Sequence, residues 1–182
     1  MAIAKKKKKF FDVSMPLISK ETQLMAMDIS ELEGKEIKYD LTRILKGKSI
    51  LMNFKVSVKD DQATSIPKEL KVMPYYLRRM VRKGTNYVEN SFSTNAKDGK
   101  IRIKPFLITR RKVSRAVRKA LREKAKEELI IWAKENDLET LFEETLKNKI
   151  QRELSMKLKK IYPLSLCEIR VLKVENIETN TQ

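Results

Sequence analysis

Asp98-Gly99-Lys100-Ile101-Arg102-Ile103-Lys104-Pro105-Phe106-Leu107-Ile108-Thr109 runs directly into Arg110-Arg111-Lys112-Val113-Ser114-Arg115, and the hydrophobic period changes on the way. Asp98-Gly99 is a tight-turn signal. After it, Ile101, Ile103, Pro105, Leu107 and Thr109 fall on one face at the two-residue period of a strand. Arg102 and Lys104 share the other face, with Phe106 and Ile108 after them, so the basic pair is expected to face solvent or a polyanion. Pro105 marks an edge strand or a bulge. Ser114 is then a good helix N-cap, and Val117, Leu121, Ala125, Leu129 and Trp132 repeat at helical spacing to about Asn136. A strand that passes through a basic connection into a long helix predicts an α+β chain.

Outward from this stretch the pattern extends in both directions. Residues 85–94 read as the strand that pairs with 100–110 through Asn95-Ala96-Lys97-Asp98-Gly99. Before it, Pro74 is a plausible first helical residue, Leu77, Met80 and Val81 make a buried stripe, and Gly84 ends the helix after Lys83. Ile50, Met52, Phe54, Val56 and Val58 alternate with Leu51, Asn53, Lys55 and Ser57, and Asp60-Asp61-Gln62 follows as a polar turn. Gly34 opens another strand through Ile37, Tyr39 and Leu41. Phe10-Phe11-Asp12-Val13 is an apolar anchor, and Met15-Pro16 ends that segment. Toward the C-terminus, Leu138, Phe142, Leu146, Ile150, Leu154 and Leu158 predict one helix from Leu138 to Ile161, and a last strand covers 166–174. The expected organisation is a disordered basic arm over 1–9, a single α+β domain over 10–176 and a short tail over 177–182.

Charge is blocked along the chain. The 182 residues hold 41 Lys+Arg and 24 Asp+Glu, a net charge of +17. Lys5, Lys6, Lys7, Lys8 and Lys9 are consecutive. Residues 68–83 set six cations against Glu69, and residues 100–126 set twelve against Glu123. Residues 127–144 then carry seven acids against Lys134 alone. Self-repulsion on this scale calls for a polyanionic partner, and nucleic acid is the first choice. Backbone N–H groups at the start of the helix after Ser114 would add to the guanidinium groups of Thr109–Arg115 in holding phosphate. Tyr75, Tyr76 and Tyr87 are candidates to stack on bases, with burial or capping as their alternative roles.

Catalysis finds little support. There is no histidine, so no Ser-His-Asp triad, Cys-His dyad or His-ligated metal exists, and one cysteine (Cys167) excludes an intramolecular disulfide or a thiolate cluster. Asp60/Asp61 fall in a turn, and Glu127/Glu128 and Glu143/Glu144 in a solvated acidic stretch. The four glycines stand alone, so there is no phosphate loop. Cys167 sits in an apolar strand pattern and reads as a small buried hydrophobe. No secretory h-region follows the lysine run, and no apolar run reaches the ~20 residues that span a bilayer. No cofactor, small-molecule substrate or membrane partner is expected, and no catalytic site.

The ordered pieces resemble a known family. Tyr76-Leu77-Arg78-Arg79-Met80-Val81-Arg82-Lys83-Gly84-Thr85 is similar to the basic helix of the archaeal and eukaryotic small-subunit ribosomal protein family e-S-one (older name S-three-a). Lys97-Asp98-Gly99-Lys100-Ile101-Arg102-Ile103-Lys104 resembles its hairpin and alternating basic strand. Phe11-Asp12-Val13 with Pro16, Gly34-Lys35, and Ile161-Tyr162-Pro163-Leu164 leading into Glu168-Ile169-Arg170 match in the same order. The resemblance covers about residues 10–174, and the short tail from Ile177 points to the archaeal type. It implies an α+β fold: a β-barrel-like sheet from the first half and the C-terminal strand, packed with a short helix and two long C-terminal helices. It also implies a structural role in the cytoplasmic small ribosomal subunit, on the platform near the mRNA exit, in contact with small-subunit rRNA and neighbouring ribosomal proteins, with mRNA near the exit as a candidate further partner. The residues expected to bind rRNA are Lys5–Lys9; Arg78, Arg79, Arg82 and Lys83; and Arg102, Lys104, Arg110, Arg111, Lys112, Arg115, Arg118, Lys119 and Arg122. The alternatives are an extra-ribosomal RNA-binding or ribosome assembly factor and, with less support, a magnesium-dependent nuclease using Asp60/Asp61.

Overall fold

The computed structural model describes residues 7–45, 47–60 and 62–177. Its strands are β1 (Lys9–Met15), β2 (Lys20–Ala26), β3 (Glu36–Asp40), β4 (Ile50–Lys59), β5 (Gln62–Val72), β6 (Tyr87–Glu89), β7 (Phe92–Asn95), β8 (Gly99–Thr109) and β9 (Leu164–Ile177). The helices are α1 (Pro74–Met80), α2 (Arg115–Glu135), α3 (Leu138–Leu146) and α4 (Lys149–Leu158). The strands form one mixed sheet in the order β2-β1-β5-β9-β8-β6, with β3 on β4, β4 also on β5, and β7 on β8. The expected α+β class holds. Two compact units share the chain, one drawn from 1–39 and 52–68, the other from 40–51 and 69–182.

In the first unit β1 and β2 form an antiparallel hairpin from Lys9↔Ala26 to Met15↔Lys20, turned by a short 3-10 segment at Pro16–Ile18. Lys9, expected in the arm, therefore opens a strand, while Lys5 and Lys6 lie outside the described residues. β1 runs parallel to β5 at Val13↔Ala63. Val13, Met15, Met52, Phe54 and Val56 are fully buried here. Strand β2 had no apolar alternation to announce it, since Lys20, Glu21 and Gln23 interrupt the pattern. In β5 the buried set slips phase, from Ala63, Ser65 and Pro67 to Leu70 and Val72.

The second unit is built on the β8–β9 pair. β9 spans 14 residues against 11 in β8, and the ladder takes up the excess at three register shifts. One falls between Lys104 and Pro105, so Pro105 marks a bulge in an interior strand and not an edge. The expected strand over 85–94 is divided, with β6 pairing the far end of β8 and β7 the near end. Phe106 and Ile108 are buried although they alternate in phase with exposed Arg102. Facing them across β8 are Glu89 and Tyr87 of β6, and Leu77 of α1 lines the same groove as Phe106.

Helix α2 begins and ends as its sequence predicts, with the Ser114 Oγ accepting from the Val117 N–H. Its stripe Leu121, Ala125, Leu129 and Trp132 is buried, and the helix packs on β6, β7 and α4. The second long helix is in fact two. Asn148 takes a left-handed conformation at φ 58° and separates α3 from α4. Asn is one of the few residues that visits this region readily. Both pieces keep the apolar stripe buried, with Leu146 half-buried, because a break of so few residues preserves the spacing. The Gln151 amide spans it, donating to the Thr145 carbonyl at 2.9 Å.

Candidate nucleic-acid interface

Four segments of the second unit carry the predicted cations. Arg78 and Arg79 lie in the last turn of α1, exposed. The helix ends at Met80, so Arg82 and Lys83, expected within it, occupy the following turn, where Arg82 O accepts from the N–H and hydroxyl of Thr85. Arg110, Arg111 and Lys112 are exposed in the link from β8 to α2. Arg115, Lys119 and Arg122 are exposed on the first turns of α2, and Arg118 is half-buried.

Two of these segments are tied together by Asn86 and Thr109. The Thr109 N–H donates to Asn86 O at 2.9 Å, and Asn86 N–H donates to Thr109 Oγ1 at 3.0 Å. The Asn86 side-chain Oδ1 accepts from Val113 N–H at 2.9 Å. The Thr109 hydroxyl reaches the carbonyls of Asn86 at 3.0 Å and Arg111 at 2.7 Å. This clamp holds the turn after Lys83 against the Arg110–Lys112 link, so two patches that are separate in sequence join. Thr109 is fully buried, which suits a hydroxyl with this many partners.

Arg102 stands at the opposite end of β8 from the Arg110–Lys112 link, with Lys104 between them. At about 3.3 Å per strand residue, Arg102 is roughly 23 Å along β8 from Thr109. Arg102 is also ion-paired, its Nε lying 2.7 Å from Glu175, and Lys104 is half-buried.

Compensation of charge separates the two sequence blocks. Among the described residues, Arg78, Arg79, Arg82, Lys83, Arg110, Arg111, Lys112, Arg115, Arg118 and Arg122 make no ion pair. Lys119 is 3.7 Å from Glu123, an exposed pair of little strength. The Arg118 Nε is buried without a partner. By contrast most acids of the acidic block have a lysine partner within the protein, although only Glu128 and Glu144 are well covered and the other pairs are exposed like that of Lys119. Glu128 holds Lys157 and Lys124, Glu127 holds Lys124, Glu144 holds Lys149, Glu143 holds Lys147, and Asp137 holds Lys97. The Lys157 ammonium keeps the Glu128 carboxyl below its ordinary range, with Lys124 assisting. Lys149, then the Trp132 indole N–H, do the same for Glu144. Carboxylates held ionised in this way are poor general acids.

The tyrosines divide by environment. Tyr75 and Tyr87 are exposed, while Tyr76 is half-buried and its hydroxyl is raised in pKa by burial, then by Glu168. Burial likewise pushes the Cys167 thiol up to about 12, so it is not a nucleophile at neutral pH. Sequence reasoning passed over Asn86 and Arg170. Arg170 is the extra residue of β9 at the bulge opposite Lys104 and Pro105, and its guanidinium meets both oxygens of Glu89 at 3.2 Å.

A mixed sheet carrying a cationic surface without internal counter-charge among the described residues defines a basic α+β protein suited to a polyanionic partner. More particularly, the chain belongs to the ribosomal S3Ae family, whose sequence model matches residues 4–178. It is 33% identical over 132 residues to small ribosomal subunit protein eS1 of Methanothermobacter thermautotrophicus, covering 71% of this chain and 68% of that protein. Against small ribosomal subunit protein eS1 of Pyrobaculum neutrophilum it is 30% identical over 138 residues, covering 75% and 62%. Against the protein of that name from Saccharolobus islandicus it is 27% identical over 183 residues, covering 96% and 88%. These relatives are archaeal, as the resemblance implied.

Proposed function

We propose that the protein is a structural constituent of the small ribosomal subunit that holds folded small-subunit rRNA through the Arg78–Lys83 and Arg110–Arg122 surface. The observation that carries this reading is the row of cations without internal counter-charge, beside an acidic block most of whose acids have lysine partners. Leaving so many like charges together costs stability unless a polyanion neutralises them. The role involves no turnover. By the family resemblance its place is the platform near the mRNA exit, with ribosomal proteins and mRNA as neighbours.

Sedimentation of a tagged copy tests the reading. The wild type should remain with small subunits at stoichiometric level after a moderate salt wash. Charge reversal at Arg110, Arg111, Lys112, Arg115 and Lys119 should abolish incorporation. Normal incorporation of that variant would overturn the assignment of the surface, and wild type found only in immature particles would make it an assembly factor. In direct binding, each phosphate-contacting cation removed should lower the slope of log K against log salt by about 1.

A further inference from the structure

Arg78 is also part of a groove, together with Leu77, Val81, Tyr87, Phe106 and Arg170. Its volume of about 700 Å³ lies inside the ~300–1,000 Å³ range of small-ligand sites. Tyr87 stands in β6 next to buried Val88 and points outward, 56% exposed. One face of its ring rests on Phe106, with centroids 5.9 Å apart and planes 18° from parallel. Phe106 is buried, so the stack has one covered side and one open side. The acid of the groove, Glu89, is neutralised by Arg170. Arg78 makes no ion pair among the described residues, and neither do its neighbours Arg79, Arg82 and Lys83.

We propose that this groove receives one unpaired RNA nucleobase, stacked on the open face of Tyr87, with Arg78 holding the phosphate of the same nucleotide. The proposal rests on the rRNA reading above. A planar π-surface over apolar walls suits any base, because stacking does not depend on base identity. An apolar peptide would fill the same walls but would leave Arg78, Arg79, Arg82 and Lys83 without counter-charge. A nucleotide brings its anion with it. The rigid backing by Phe106 means that little ordering is needed on binding.

The test is binding of the full chain to transcribed small-subunit rRNA across a salt series, joined to ultraviolet cross-linking in reconstituted small subunits. Tyr87→Ala and Tyr87→Leu should each weaken binding roughly 5- to 150-fold without changing the salt slope. The Leu variant keeps apolar filling and lacks only the π-face, which separates stacking from packing. Tyr87→Phe should bind within about twofold of wild type, since its π-face remains. Arg78→Ala should lower the slope by about 1. The peptide holding Tyr87 should cross-link to a nucleotide. If wild type binds rRNA and the Ala and Leu variants bind equally well, the nucleobase site is wrong and the rRNA reading stands. A cross-link from Tyr87 to a protein neighbour would make the groove a protein docking surface and overturn the proposal. If wild type itself does not bind the rRNA, the underlying reading fails and the proposal falls with it.

Discussion

Lys48 and Glu168 are 120 positions apart, and their side chains are only 10% exposed. The ammonium lies 2.7 Å from the Glu168 carboxylate and 2.5 Å from Asn148 Oδ1. A buried pair of this kind stabilises little relative to an apolar replacement, yet removing one member strands the other charge. Glu168→Gln should therefore cost about 3–5 kcal/mol in urea unfolding, whereas the double change Lys48→Met, Glu168→Leu should come close to wild type. Equal losses in both variants would show that the pair acts through packing. Sequence patterning did not bring these residues together. Glu168 reads as a polar position in the last strand and Lys48 falls in no predicted element, and only the tertiary fold brings the ammonium to Glu168 and Asn148.

At the scale of elements, two asparagines govern local geometry. Asn86 closes the clamp between the turn after α1 and the link into α2. Asn86→Ala leaves the Val113 N–H without its acceptor, at a cost of about 1–3 kcal/mol if that group stays buried. The variant should lose rRNA affinity with its charge unchanged, measured by filter binding beside a thermal melt. Unchanged affinity would mean that the basic segments do not need the clamp. Asn148 supplies the left-handed residue between α3 and α4. Asn148→Gly and Asn148→Ala both remove the contact to Lys48, but alanine also meets the left-handed penalty. Alanine should therefore be the less stable by about 1–2 kcal/mol. The helix break was invisible in the sequence because the apolar stripe runs through it unbroken. The long helix α2 was legible end to end, since Ser114 caps it and its core positions repeat at one period over 21 residues.

For the whole molecule, carboxylates with depressed pKa shape the response to acid: Asp40 and Glu175 through hydrogen bonds with Thr42 and Ser93, Glu128 and Glu144 through their lysines. Glu128 and Glu144 have carboxyls held below the ordinary value of 4.5 by Lys157 and Lys149. A depressed folded-state pKa contributes stability that is present above the unfolded value and is lost as pH falls through the folded one. Stability measured by urea unfolding should thus decline below about pH 4.5, and Glu128→Gln with Glu144→Gln should flatten that decline. A curve of wild-type shape in the double variant would exclude these pairs as its source. Because most acids of the 127–144 block are paired with lysines, they do not compensate the cationic surface.

What the sequence by itself determined was whatever depends on local order: the strand periods of β4 and β8, the cap and stripe of α2, the blocks of charge, and the ordered pieces that carry the family resemblance. Which cations stand together was decided only by tertiary structure. Arg102 lies in the same basic stretch as Arg110, yet an extended strand carries it away and Glu175 takes up its charge. Arg82 and Lys83 lie far from Arg110 in sequence, yet the Asn86–Thr109 hydrogen bonds bring their segments side by side. Charge is a property of composition, but whether it is free depends on which residues the fold places within ion-pairing distance.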